Sequence, residues 1–270
     1  MSTTLAPMSA LSRDRSLRQT ITVYGKEAKY EFLKLLRFPM YSVSTILFPL
    51  MFYVLFGLVF GRQQIGGMSQ STYLIASYGT FGVMGASLFG TAAGLAAERG
   101  LGWMQVKRAS PMPPFAYFAA KFAISMAFCA IVVLLLMLLA VSFGGVTFSV
   151  LEAVKLLATL IAGSIPFCAL GLVIGYFAGP NSAPATINLI YLPMSFLSGL
   201  WIPYMFLPKL MQKFALVLPP YHLSQLALSV VGAGRHEANW GHWQVLIAFT
   251  LICLGFAYWG FLRDEGKIYG

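Results

Sequence analysis

The stretch Ala130–Val141 is twelve consecutive apolar residues, set inside a longer apolar run from Phe118 to Phe143. Crossing roughly 30 Å of hydrocarbon takes about 20 mainly apolar residues, and a helix satisfies its own backbone there. Five further runs have the same character: about Tyr41–Phe60, Leu74–Ala97, Val154–Phe177, Thr186–Ile202 and Val245–Leu262. The chain is therefore predicted to be an all-α polytopic membrane protein with six transmembrane helices.

Composition agrees. Of the 270 residues 59% are hydrophobic and 10% charged, against about 25% charged in a soluble domain. A water-soluble chain of this size could not hide that much apolar surface in one core. A net charge of +10 would suit a nucleic-acid partner, because basic patches attract phosphate, but the cations are distributed for a membrane instead. If the N-terminus is cytoplasmic, that face carries Arg13, Arg15, Arg18, Lys26, Lys29, Lys34, Arg37, Arg99, Lys107, Arg108, Lys121, Arg263 and Lys267. The other face carries only Arg62, Lys155, Lys209, Lys213 and Arg235. Thirteen against five puts both termini inside by the positive-inside rule, and no nucleic acid is expected as a partner. The long charged lead before the first run does not read as a cleavable signal peptide.

Before the first span, Leu17, Ile21, Tyr24, Ala28, Phe32 and Leu35 recur at helical spacing, with Arg18, Lys26, Lys29 and Arg37 opposite them. Residues 11–38 are read as an amphipathic cytoplasmic interface helix, apolar side toward lipid, ended by Pro39. Between the fifth and sixth spans, Leu207–Leu218 and Tyr221–Val231 are apolar but too short to cross, and Pro219-Pro220 separates them. Residues 203–234 are read as short re-entrant helices at the outer face, where such backbone must be shielded. Glycines four apart, such as Gly171, Gly175 and Gly179, mark close helix contacts.

Several chemistries lack their residues. No glycine-rich loop ending in Lys and Ser or Thr occurs, so the chain cannot bind ATP by that route. The eight acids all lie at or outside span ends, which leaves an ion relay through the bilayer without groups. Lys121 and Lys155 are expected to snorkel from near span ends. Cys129, Cys168 and Cys253 sit in separate apolar runs without metal or disulfide spacing, so no metal is expected. His222, His236 and His242, with Glu237, could serve a membrane-embedded enzyme as acid and base. Their neighbours Trp240 and Trp243 favour an interfacial aromatic belt instead.

One segment stands apart. Between the second and third spans the chain reads Glu98-Arg99-Gly100-Leu101-Gly102-Trp103-Met104-Gln105-Val106-Lys107-Arg108-Ala109-Ser110-Pro111. A charged pair at a membrane exit is followed by a glycine that permits a turn, then by a short apolar helix that Ser110-Pro111 closes. Apolar residues on a short cytoplasmic helix fit a groove on a partner, and the charges would set its register.

This segment resembles the signature of the type-two ABC exporter permeases: Glu-Arg, two residues, Gly-Thr, then an apolar stretch ending in Ser-Pro. Glu98, Arg99, Gly102, Ser110 and Pro111 fall on the matching positions. Trp103 stands where a small hydroxyl residue is usual, and Lys107-Arg108 replaces an aliphatic pair. The resemblance covers essentially the whole chain, residues 1–270, as a single transmembrane domain. It implies a permease subunit without catalytic residues, exporting an amphipathic substrate (drug, antibiotic or lipid-like) across the bacterial cytoplasmic membrane. A polysaccharide or glycolipid exporter of the same family is the alternative. The implied partners are an ABC nucleotide-binding subunit, which holds the ATP and Mg, a second permease copy (identical or a paralogue) and membrane lipid. Residues 98–117 would be the cytoplasmic coupling segment, with Glu98, Arg99, Gly102, Trp103, Met104, Ser110 and Pro111 facing the ATPase. The pathway would be lined from the second and fifth spans, with Tyr78, Phe81, Met84, Phe89, Met194, Phe196 and Trp201 as candidates.

Overall fold

The computed structural model describes residues 25, 30, 33, 39–59, 64–65, 67–103, 114–232 and 239–265. The expected amphipathic helix over 11–38 falls almost wholly outside these residues, as do Met104, Ser110, Pro111 and His236.

The chain is a helical bundle. Helix α1 (Pro39–Phe52) runs into a π-helical turn, Tyr53–Val59. Its interior Pro49 has no N–H to give the ladder. Carbonyls near its end accept from the next helix, where Gln70 Nε2 donates to Phe56 O at 3.0 Å and Ser71 Oγ to Gly57 O at 2.5 Å. A two-residue-per-strand hairpin, β1 (Gln64–Ile65) and β2 (Met68–Ser69), turns the chain. Helix α2 (Gln70–Leu88) starts on Ser69, whose side chain accepts from Thr72 N, and continues through a π-turn (Phe89–Ala93) into α3 (Gly94–Gly100).

Helices α4 (Pro114–Phe143), α5 (Val150–Ala162), α6 (Ile165–Phe177) and α7 (Ala183–Leu197) follow. Ser149 and Glu152 form a reciprocal capping box at the start of α5. The fourth apolar run is thus two helices. Pro166 has no N–H to offer the Ala162 carbonyl, so the ladder is interrupted across Gly163-Ser164. Two short helices, α8 (Lys209–Ala215) and α9 (Pro219–Val230), occupy the segment before α10 (Asn239–Glu265).

Among the described residues, four helical stretches are long and apolar enough to cross a membrane: Gln70–Gly100, Tyr117–Phe143, Val150–Phe177 and Asn239–Asp264. The first run is helical from Pro39 to Val59 through its π-helical turn, and the fifth forms a shorter apolar helix, Ala183–Leu197, where a full span was expected. The stretch Gln70–Gly100 has 78% of its most apolar window buried and Asn239–Asp264 only 22%, so the former is the bundle's axis and α10 its periphery. A helix buried on every side must be slim where neighbours approach. Gly171 and Gly175 of α6 meet Thr91 and Leu95 so closely that a Cβ would collide. That glycine stripe is therefore used inside the subunit.

Candidate functional site

The end of the bundle where α3, α6 and α10 finish holds the described ionic contacts. Glu98 lies in the last turn of α3 and is 4% exposed. Tyr117 donates its hydroxyl to Glu98 Oε2 at 2.6 Å, and Lys121 Nζ donates to Oε1 at 3.2 Å. Lys121 is only 2% exposed and also lies 4.9 Å from the Tyr117 ring centroid. It does not snorkel, contrary to the sequence expectation. A buried ammonium needs a counter-charge in reach, and Glu98 supplies it from another helix.

The next residue points the other way. Arg99 donates from Nε and Nη2 to the two oxygens of Asp264 at 3.2 and 2.7 Å. Its Nη1 donates to the carbonyls of Gly175 and Tyr176 at 2.7 and 2.6 Å. Those carbonyls belong to the last turn of α6, which has no further helix to bond and favours a cation by its dipole. Arg99 thus caps α6 while a planar fork grips the carboxylate of α10. Two consecutive residues tie α3 to α4, α6 and α10. Sequence reasoning singled out Glu98 and Arg99 for coupling to a partner; within the subunit both side chains bond inside the bundle. Tyr117, Lys121 and Asp264 were not paired with them.

Immediately beyond this knot the chain opens outward. Gly102 has φ +72°, a left-handed conformation that glycine adopts without strain. Leu101 and Trp103, on either side, are 73% and 55% exposed.

The residues assigned to a pathway gather differently. Tyr78, Phe81 and Met84 are buried within the subunit, Met194 is 9% exposed and Phe196 is 39% exposed. Tyr78, Phe81, Phe89 and Trp201 belong to one aromatic cluster joined by two residues not singled out, Phe52 and Tyr191. Phe52 lies 4.6 Å from Trp201 and 6.1 Å from Tyr78 by ring centroids. Tyr191 stacks on Phe81 at 4.8 Å, meets Phe89 edge-on, and donates its hydroxyl to Phe81 O. The cluster reaches the bundle surface at Phe48 and Phe56. Phe48, Phe52 and Phe56 are spaced four apart, so helical periodicity could have shown that stripe.

His222 and His242 form a buried pair with Nδ1 atoms 2.8 Å apart, and His222 Nε2 lies 2.9 Å from Leu216 O. A carbonyl only accepts, so His222 donates from Nε2, and in the neutral pair His242 Nδ1–H donates to His222 Nδ1. Among the described residues no three His, Cys, Asp or Glu side chains gather as a metal site.

A bundle of long helices with apolar outer faces is a multi-pass membrane protein, and sequence comparison gives its family. The family profile for "ABC-2 type transporter" matches residues 27–231, and the chain belongs to that family. It is also 24% identical over 232 residues to a protein of Bacillus subtilis (strain 168) named "Putative transport permease YvfS", covering 86% of this chain and 94% of that one.

Proposed function

We propose that this chain is the permease subunit of an ATP-driven exporter that moves an amphipathic substrate outward through the cytoplasmic membrane. Two permease copies, identical or paralogous, act with separate nucleotide-binding subunits that hold the ATP and Mg. Both termini and the Glu98–Arg99 end face the cytoplasm, and the short helices α8 and α9 lie toward the outside. The observation that carries this reading is the knot at Glu98–Arg99, set at the foot of the exposed Leu101–Trp103 turn. A push on that turn cannot move α3 alone, because α3 is tied by charge to three other helices. The segment beyond it, through Ser110-Pro111, is the contact that receives the push. ATP binding in the partners shifts the conformational equilibrium only as far as they bind one state better than the other.

The aromatic cluster and the lack of charge in the span interiors suit an amphipathic cargo of the drug, antibiotic or lipid type. The test is co-expression with an ATPase encoded beside this chain, followed by uptake of a fluorescent amphiphile into inside-out vesicles. ATP-dependent uptake that requires both chains supports the reading. Uptake that persists without the ATPase and collapses with the ion gradient would overturn it.

A further inference from the structure

A cavity of about 320 Å³ opens beside the knot, between the ends of α3, α6 and α10 and the loop that follows α6. Arg99, Arg263, Asp264, Gly179, Pro180 and Phe177 are among its walls. Its size falls at the lower end of small-ligand sites. Both oxygens of Asp264 accept from Arg99, so the carboxylate is already spent. Arg263 is exposed and makes no ion pair among the described residues. Arg99 and Asp264 cancel, which leaves Arg263 as the net positive charge of the cavity wall.

Its depth is set by α10. Trp240 and Trp259 are exposed near opposite ends of that helix. They stand nineteen positions apart, which is about 28 Å at the helical rise and matches the hydrocarbon thickness. Such aromatic residues mark the two interfaces. Arg263 lies one turn, about 6 Å, beyond Trp259, at the level of headgroup phosphates. On the membrane side of the cavity, Phe177 and Trp259 pack with centroids 5.5 Å apart and are 46% and 54% exposed. A cationic polar chamber above an exposed aromatic step has the polarity order of a phospholipid, headgroup then chains.

We propose that this cavity binds the phosphate headgroup of an anionic phospholipid of the cytoplasmic leaflet, held by Arg263, with its acyl chains against Phe177 and Trp259. The site lies apart from the aromatic cluster proposed to meet cargo, and its occupancy needs no transport to be measured.

The test uses the full chain in phosphatidylcholine vesicles containing a minority of brominated phosphatidylglycerol or brominated phosphatidylcholine with the same chains. The Trp259→Phe variant isolates the quenching of Trp259. Wild type should show about a fivefold preference for phosphatidylglycerol, the scale of one arginine at an anionic surface. Arg263→Gln should bring that preference close to one. Ala178→Glu, which adds a carboxylate at the cavity wall, should do the same. Equal quenching by both lipids in wild type, or a preference that survives Arg263→Gln, overturns the proposal. Millimolar inorganic phosphate at constant ionic strength should leave the preference intact, and its loss would make this a site for free phosphate instead. If Arg263→Gln abolishes co-purification of the ATPase while lipid preference stays, the cavity takes an acidic segment of a protein partner and the lipid assignment falls.

Discussion

The two ends of this bundle solve one problem in opposite ways. Wherever helices stop in or near a membrane, their free carbonyls and the connecting backbone must find partners. At the Glu98–Arg99 end the partners are charged and cross between helices: Glu98 with Lys121, and Arg99 with Asp264 and the last carbonyls of α6. At the end holding α8 and α9 they are neutral and mostly local. Gln212 donates to Leu207 O, His222 bonds Leu216 O, and the Tyr204 and Tyr221 rings lie 4.8 Å apart. The cations on α8, Lys209 and Lys213, are exposed. A charged knot between four helices resists the shift of any one of them, because each buried charge left behind is costly. Neutral contacts can be exchanged one at a time. The first end is suited to moving as a unit, the second to opening piecewise.

That contrast can be broken most directly at Glu98. Glu98→Ala leaves the Lys121 ammonium buried without its counter-charge, and a loss of about 3–5 kcal/mol is expected. Unfolding in mixed detergent and SDS micelles would measure it. Glu98→Leu combined with Lys121→Met should recover most of the loss, since replacing both partners removes the stranded charge. A single variant as stable as wild type would show that the pair does not hold the helices together.

Arg99→Lys comes next. One ammonium cannot reach a carboxylate and two carbonyls at once, so about 1.5–3 kcal/mol should go, the range for hydrogen bonds to charged groups. The same micelle titration reads it. Asp264→Asn should cost less, because the two α6 carbonyls keep their donor.

At the opposite end the expected effect is smaller. His242→Phe removes the donor to the buried but uncharged His222 Nδ1 and keeps the ring volume, so about 1–2 kcal/mol is expected. A loss as large as that of Glu98→Ala would mean the two ends do not differ in kind.

The sequence made some of this legible and hid the rest for definable reasons. Apolar run length located the long helices, and Pro219-Pro220 marked the junction of two short ones. The interruption at Gly163-Ser164 was readable in principle from Pro166, but an unbroken apolar run masked it. Lys121 shows the real limit. Near the start of an apolar run, a lysine is read as snorkelling, because a carboxylate 23 residues earlier leaves no periodic trace. The Arg99–Asp264 pair, 165 residues apart, is hidden for the same reason. The signature pair was found by pattern, but pattern does not say which way a side chain turns, and both turn inward.

The smallest expected effect on stability is the one that most sharpens the comparison. Trp103 lies just past Gly102, more than half exposed, and among the described residues no hydrogen bond or ring contact holds it. Trp103→Ala should therefore stay within about 0.5 kcal/mol of wild type in the micelle titration. If the turn delivers force to the knot, the same variant should lose most ATP-driven uptake and weaken co-purification with the ATPase, because an exposed aromatic at a protein contact is a typical anchor. Glu98→Ala combined with Lys121→Met should give the reverse result: the ATPase still binds, but its hydrolysis no longer drives uptake. Separating binding from coupling in this way would assign the exposed turn to contact and the buried knot to transmission. If Trp103→Ala instead unfolds the chain while leaving the ATPase bound, the tryptophan is a structural element of the bundle. The division between contact and knot would then be wrong.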